Sequence, residues 1–472
     1  MTNQKPNLRL LSSQKPEAGE SMYAARKKIY PRETTGLFQN LRRVTAWVVL
    51  GGFYLLAWVP WGSRQAVLFD LPARRFHIFW LTFYPQDFIY LALLLVIAAV
   101  ALLFFTALAG RLWCGYTCPQ TLWTELFLWI EHLTEGDRAA RIKLDKRPWS
   151  IEKLRRKGSK QILWIGLAAW TGFTFVGYFT PIHDLFSEVL HFQMGSWETF
   201  WTLFYGLATY GNAGYLREQV CMYMCPYARF QGAMFDQNTL IISYDQSRGE
   251  PRGSRRRDSD HRASGLGDCV DCTLCVQVCP TGIDIRDGLQ YECIACASCI
   301  DVCNQVMDKV GYERGLIRYT TLNAMEGKST QIIRPRVVVY SLILLGMSGS
   351  VAYSILNRAP MALDILHDRN ALYRIREDGH IENSYTLKVA NRSEDPHRYV
   401  IGASGLTHLH IETDPQVVEV AAGEIAIVPT RVNVPANTVK GGATIIFTLQ
   451  LADGEGDPLS QNSRFLAPVT TR

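Results

Sequence analysis

Residues 269–280 read CVDCTLCVQVCP and residues 293–303 read CIACASCIDVC. Each run has the spacing C-x2-C-x2-C-x3-C, with Pro280 after the first and Asn304 where the second would have its proline. Two-residue loops let three thiolates converge on three corners of an iron-sulfur cube, and the fourth ligand comes from further away. In two-cluster ferredoxins that remote cysteine belongs to the other run. The spacing therefore predicts two 4Fe-4S clusters, one held by Cys269, Cys272, Cys275 and Cys303 and the other by Cys293, Cys296, Cys299 and Cys279. The competing chemistry is a pair of structural zinc sites, but these prefer four cysteines in two pairs to repeated sets of three plus one. Without a proline after Cys303 the backbone there is less constrained, although the ligand itself is present.

The remaining four of the twelve cysteines form a repeat. Cys114-Gly115-Tyr116-Thr117-Cys118-Pro119 and Cys221-Met222-Tyr223-Met224-Cys225-Pro226 both read C-x-Y-x-C-P. Cysteines at i and i+4 share one helix face, so each pair could clamp one ion. The proline disfavours helical geometry in the residue before it, which predicts a helix that breaks and restarts at Pro119 and Pro226. Soft thiolates, with Met222 and Met224 nearby, suit Cu(I) better than a hard cation. Three readings stay open from the residues alone: copper ligation, electron exchange as thiols, and packing at helix ends. A stable disulfide does not fit a reducing compartment.

Working outward, 19% charged against 48% hydrophobic residues in a 472-residue chain suits a membrane protein with soluble parts. A helix needs about 20 apolar residues to span a bilayer. Residues 44–61, 88–108, 161–180, 197–216 and 337–356 approach that, which predicts five spans. Orientation follows Lys and Arg. Lys5, Arg9, Lys15, Arg26, Lys27, Lys28, Arg32, Arg42 and Arg43 crowd the first 43 residues, and Arg138, Arg141, Lys143, Lys146, Arg147, Lys153, Arg155, Arg156, Lys157 and Lys160 fill the second connection. Residues 181–196 have neither. Arg64, Arg74 and Arg75 in the first outer loop run against the pattern. The expected order is a basic cytoplasmic tail (1–43), which lacks a cleavable signal peptide, and four spans in two hairpin repeats (44–230) with a basic cytoplasmic loop at 134–160. A cytoplasmic ferredoxin-type domain (231–336), a fifth span (337–357) and a periplasmic all-β sandwich (358–472) follow. The net charge of +6 is accounted for by this orientation, so nucleic acid is not an expected partner. Residues 247–265 read as an Arg-rich linker near anionic membrane lipid.

Short β-rich runs at 385–389, 417–420, 425–434 and 443–451, separated by turn residues, have sandwich-like spacing. His408 and His410 alternate on one apparent strand face, and His183, His191 and Met194 lie in an outer loop; both groups are weak metal hints lacking a full ligand set. No C-x-x-C-H haem site and no glycine-rich dinucleotide fingerprint occurs.

Taken together, Lys28-Ile29-Tyr30-Pro31, the paired C-x-x-x-C-P motifs, the eight-cysteine insert, the fifth span and the cysteine-free β-domain closely resemble the CcoG/FixG (RdxA) family of cytochrome c oxidase accessory proteins. The resemblance covers nearly the whole chain. It implies a multi-pass protein of the bacterial inner membrane that reduces Cu(II) to Cu(I) while the copper centre of a cbb-type oxidase is assembled. It also implies an immunoglobulin-like C-terminal domain, and copper ligation by Cys114, Cys118, Cys221 and Cys225. The partners it implies are subunits of that cytochrome c oxidase or copper chaperones, together with an electron donor that no motif names and scope for a homo-oligomer. Two other functions compete: a quinol dehydrogenase-like polyferredoxin feeding a periplasmic reductase, and a non-catalytic assembly scaffold. The Lys/Arg asymmetry makes a direct prediction: a reporter active only in the periplasm works when fused after Arg472 and fails when fused near Gly265. The opposite pattern reverses the orientation.

Overall fold

The computed structural model describes residues 28–468 apart from 63, 256–264, 369–370, 394, 437 and 455–456. The basic residues before Lys28, and Arg256, Arg257 and Arg262 of the linker, lie outside the described residues. The chain divides into two compact units, Met1–Gly349 and Ser350–Arg472.

The first unit is built on the helices Leu37–Leu56, Phe88–Ala109, Pro119–Glu135, Ile151–Val176 and Ser196–Thr209, the last running into a π-helical turn at Tyr210–Leu216. Among the described residues, two helices are long and apolar enough to cross a membrane, Phe88–Ala109 and Pro335–Leu356. The segments of the other three expected spans carry polar groups for identifiable reasons. The first begins at Leu37, seven residues ahead of the expected span, because the Asp301 carboxylate takes its orphan N–H groups: Phe38 N donates to Oδ1 at 3.3 Å and Gln39 N to Oδ2 at 2.8 Å. It ends at Leu56, and Pro60–Trp61 then pairs with Arg64–Gln65 as a short hairpin. The expected tail boundary at residue 43 therefore falls inside a helix. Ile151–Val176 has a basic first half that serves as counter-charge. In the fourth segment the α-helical part is only 14 residues, and Gly211 and Gly214 sit in the π turn that follows.

That counter-charge neutralises carboxylates buried on Pro119–Glu135. Glu131 receives Arg141 Nη1 at 3.2 Å and Arg217 Nη2 at 3.0 Å, and Glu135 receives Lys160 Nζ at 2.8 Å. Nearby, Asp145 accepts from Lys157 Nζ at 2.5 Å, Lys28 Nζ at 2.8 Å and Tyr30 Oη at 2.6 Å. The basic loop is thus a set of ion-pair partners as well as a run of surface charge, and it ties Lys28-Ile29-Tyr30-Pro31 to the helices.

In the second unit His410–Thr413, Ile425–Pro435, His380–Asn391 and Met361–His367 form one antiparallel sheet, with Arg374–Ile375 paired to His380–Asn391. Val417–Val420, His397–Ser404, Gly442–Leu451 and Leu459–Leu466 form the other. Alternate residues from both, among them Leu387, Val389, Val432, Phe447, Leu449 and Phe465, meet in one fully buried core. The β-sandwich thus needs no disulfide, and all four strand positions read from the sequence lie within its strands. His408, however, sits in a turn with φ 57° and the strand starts at His410, so the two histidines do not share a strand face. His183 packs its ring edge against Trp58 and Met194 joins the same apolar cluster, which accounts for both without metal.

Burial alone would raise the Asp145 carboxyl, but hydrogen bonds from Lys157, Lys28 and Tyr30 hold it well below the usual carboxylate range. A carboxyl depressed by folding adds stability above its unfolded pKa of about 3.9 and loses it as pH falls toward its folded value. Asp145→Asn should therefore cost on the order of 1–2 kcal/mol at neutral pH, and thermal melts should show that difference shrinking below about pH 4. A difference independent of pH would mean the carboxylate charge is not what holds the loop.

Candidate electron-transfer site

The two cysteine runs fold alike. In the first, Asp271 and Thr273 have φ of 52° and 56°; in the second, Ala295 and Ala297 at the equivalent positions have φ of 54° and 61°. Left-handed backbone costs about 1–2 kcal/mol at a residue with a side chain, so four such residues at matched places mark loops wound around something. A short helix, Leu274–Gln277, follows in one run and the long helix Ser298–Val310 in the other.

Cys269, Cys272, Cys275 and Cys303 line one small pocket, while Cys279, Cys293, Cys296 and Cys299 line a second, which Cys275 also borders. All twelve cysteines are free of disulfides. Burial pushes the Cys275, Cys293 and Cys303 thiols up to about 12, and burial beside neighbouring cysteines raises Cys299 as well. Thiols crowded this way stay protonated unless a cation compensates them, and the irons of a cluster would supply that charge. Among the described residues no three His, Cys, Asp or Glu side chains converge on a single ion. Four thiols set around each pocket fit the corners of a cube.

The C-x-Y-x-C-P repeats are also alike in structure. Cys118 and Cys225 have extended backbones (φ −60°, ψ 126° and φ −81°, ψ 110°) and each precedes a helix opened by proline. Each donates its N–H to the carbonyl five residues back, Cys118 to Trp113 at 2.9 Å and Cys225 to Val220 at 2.8 Å. Burial pushes the Cys114 thiol up to about 11 and the Cys221 thiol up to about 12; the charge on Cys118 raises both, and Cys114 also raises Cys221. Thiols of the two repeats thus share one neighbourhood. Cys114 Sγ donates to Gln231 Oε1 at 3.4 Å. The four thiols do not form a ready-made mononuclear site.

The first pair lies directly against the second cysteine run. A Cβ on Gly115 would fall 2.8 Å from the Ala295 carbonyl oxygen and 2.9 Å from that of Ile294, so only glycine permits this approach. Arg111, 5% exposed, donates to the carbonyls of Tyr291 at 2.5 Å and Cys293 at 3.4 Å, and with its other nitrogen to Ala228 beyond the second pair. Tyr319 Oη donates to the Ala295 carbonyl at 2.7 Å and meets Tyr116 Oη at 3.3 Å. Sequence reading named the cysteines but missed Arg111, Gly115 and Tyr319. The one available signal was the Gly/Met difference between the two motif copies.

Comparison with known proteins places this arrangement. Residues 216–322 match a family model described as a 4Fe-4S dicluster domain, residues 91–135 one described as a 4Fe-4S binding domain, and residues 351–468 one described as the IG-like fold at the C-terminal of FixG. Nitrogen fixation protein FixG of Rhizobium meliloti is 39% identical over 409 residues, 78% of either chain. Proteins RdxB and RdxA of Cereibacter sphaeroides are 36% and 35% identical over 94% and 93% of this chain, and 92% and 97% of their own. The crystal structure of a FixG-related protein from Vibrio parahaemolyticus is 28% identical over 23% of this chain and 97% of that one, with a TM-score of 0.21.

Gly115→Ala should force apart the Ile294–Ala295 backbone and lower iron retention at the second pocket, taking purified protein from about eight irons toward about four if each pocket holds one cluster. Gly158→Ala, which meets nothing within 4 Å, is the control. Full iron content in Gly115→Ala would mean the contact has no bearing on the cysteine loop.

Proposed function

The chain belongs to the FixG/RdxA/RdxB family of iron-sulfur electron-transfer proteins, and we propose that it reduces Cu(II) to Cu(I) during assembly of the copper centre of a cbb-type oxidase. The observation that carries this reading is the seat of Gly115 on Ile294 and Ala295, which sets the paired cysteines against the loop of the second quartet. In this proposal Cys269, Cys272, Cys275 and Cys303 hold one cluster and Cys279, Cys293, Cys296 and Cys299 the other. Such clusters supply reversible one-electron storage. The chain fixes where that storage lies: Arg111 and Tyr319 hold the second loop by its carbonyls, and the close approach at Gly115 excludes intervening side chains.

Copper enters as substrate. Cys114, Cys118, Cys221 and Cys225 offer soft sulfur to Cu(I), and Cu(II) accepts one electron to reach it. The membrane arrangement in this reading has five spans: Leu37–Leu56, Phe88–Ala109, Ile151–Val176, the segment at 196–216, and Pro335–Leu356. The amino terminus and the cluster insert lie in the cytoplasm and the β-sandwich in the periplasm, where oxidase subunits or copper chaperones would dock.

Serine keeps the size of cysteine and replaces a soft thiolate with a hard, rarely ionised oxygen. Changing Cys114, Cys118, Cys221 and Cys225 together to serine should leave cluster absorbance and iron content intact. Chemically reduced protein, freed of excess reductant, should then form Cu(I) at least about tenfold more slowly than wild type, read by a Cu(I) chelator added after the reaction. Equal rates would remove the pairs from the mechanism; slow reduction with copper binding intact would recast them as thiol electron carriers.

A further inference from the structure

A cleft of about 940 Å³ opens beside the second cysteine pocket. Trp47, Leu50 and Tyr54 of Leu37–Leu56 and Leu122, Leu126 and Trp129 of Pro119–Glu135 supply its apolar walls. Its volume falls within the range of small-molecule sites, about 300–1,000 Å³. At its polar end the lining reaches Pro280, Thr281 and Ile294, and these three residues also line the pocket of Cys279, Cys293, Cys296 and Cys299. A molecule seated there would be separated from the second quartet by a single layer of residues. Cys221 of the second pair borders the same space.

Four of the five arginines at the polar end are paired with carboxylates. Arg42 Nη2 meets Glu125 Oε2 at 2.9 Å, Arg43 Nη2 meets Glu33 Oε1 at 2.8 Å, and Arg141 and Arg217 are spent on Glu131. Such an end suits a neutral head group better than a phosphate. Three lining groups, all more than nine-tenths buried, have atoms without a hydrogen-bond partner: Thr34 Oγ1, Arg42 Nε and Arg141 Nε. Buried polar atoms left this way are open to a bound ligand or an ordered water. His132 Nε2 lies 3.3 Å from Glu33 Oε2, with both side chains partly exposed, a route for protons from the cleft to water.

We propose that this cleft binds a membrane quinol, an apolar tail along the first helix and a ring between Thr34, Arg42 and the Pro280–Thr281 wall, and that the quinol is the electron donor. The inference rests on the cluster assignment in the proposed function and adds its source of electrons. In the reaction both O–H bonds of the quinol break and a quinone leaves. The two protons pass through the His132–Glu33 pair to water, and the two electrons pass singly to the two cluster sites, one each, by way of the second quartet. Two Cu(II) ions are then reduced per quinol.

Gly51 lines the cleft and a Cβ there meets nothing within 4 Å, so Gly51→Phe adds bulk to the cleft wall with no clash at its Cβ. The full chain in phosphatidylcholine nanodiscs is photolabelled with an azido-decylubiquinone, and labelled peptides are mapped. Labelling should fall on residues 42–55 and 119–132 and be displaced by decylubiquinone but not by added phosphatidylglycerol. Gly51→Phe should weaken decylubiquinone binding at least about tenfold, and Thr34→Val should weaken it by less. Both variants should retain cluster absorbance and, once chemically reduced, should reduce copper at the wild-type rate. Displacement by phosphatidylglycerol would make the cleft a lipid seat, and undiminished binding in Gly51→Phe would place the quinone elsewhere; either overturns the proposal. Cluster reduction by decylubiquinol with no copper reduced would uphold the quinol site and overturn copper as the substrate.

Discussion

A buried arginine needs acceptors for its donors, and Arg111 finds them on both sides of a junction: the Tyr291 and Cys293 carbonyls in the cysteine insert and the Ala228 carbonyl after the second C-x-Y-x-C-P pair. Leaving such a guanidinium unpaired inside the protein would cost several kcal/mol. The insert and both C-x-Y-x-C-P repeats are therefore held as one body, and Gly115 sets how closely they meet. Any electron leaving the second quartet for the paired cysteines has its distance fixed by this contact rather than by a flexible tether.

The same logic runs through the rest of the first unit. Asp301, on the helix that carries Cys299 and Cys303, caps the first long helix, so the insert is also fastened to the segment that walls the cleft. Arg42 of that helix bonds Ser298 Oγ at 3.0 Å and pairs with Glu125 on Pro119–Glu135. Glu131 and Glu135 are buried because the basic loop supplies their counter-charges, and breaking one partner of such a pair strands the other. Polar groups at the ends of the helices thus position the cysteine loops.

Much of this was legible in the chain itself. Cysteine spacing is dictated by the size of a cube, so residues 269–303 declare their chemistry without neighbours. The break at Pro119 and Pro226 follows from pre-proline sterics, and the strands around Leu387, Val432 and Phe447 follow from alternation with a period of two. What escaped was everything set by partners distant in sequence. The first helix starts early because of a carboxylate more than 260 positions away. His408 and His410 looked alternate, yet a turn separates them from a shared strand. Gly115 is one glycine among 36, and its role shows only against the carbonyls of Ile294 and Ala295. Hydropathy reads five spans; among the described residues two helices, Phe88–Ala109 and Pro335–Leu356, are long and apolar enough by themselves, while charged or π-helical residues interrupt the apolar run in the first, third and fourth segments.

The central claim is that electrons stored at the two quartets reach copper at the paired cysteines. Stopped-flow mixing of the reduced, reductant-free wild-type protein with Cu(II) tests it in a single turnover, with cluster absorbance and Cu(I) followed together. The account predicts that visible absorbance recovers in step with Cu(I), and that about two Cu(I) form per chain, one for each cluster. Copper reduced while the clusters stay reduced, or clusters reoxidised with no Cu(I) formed, would contradict it.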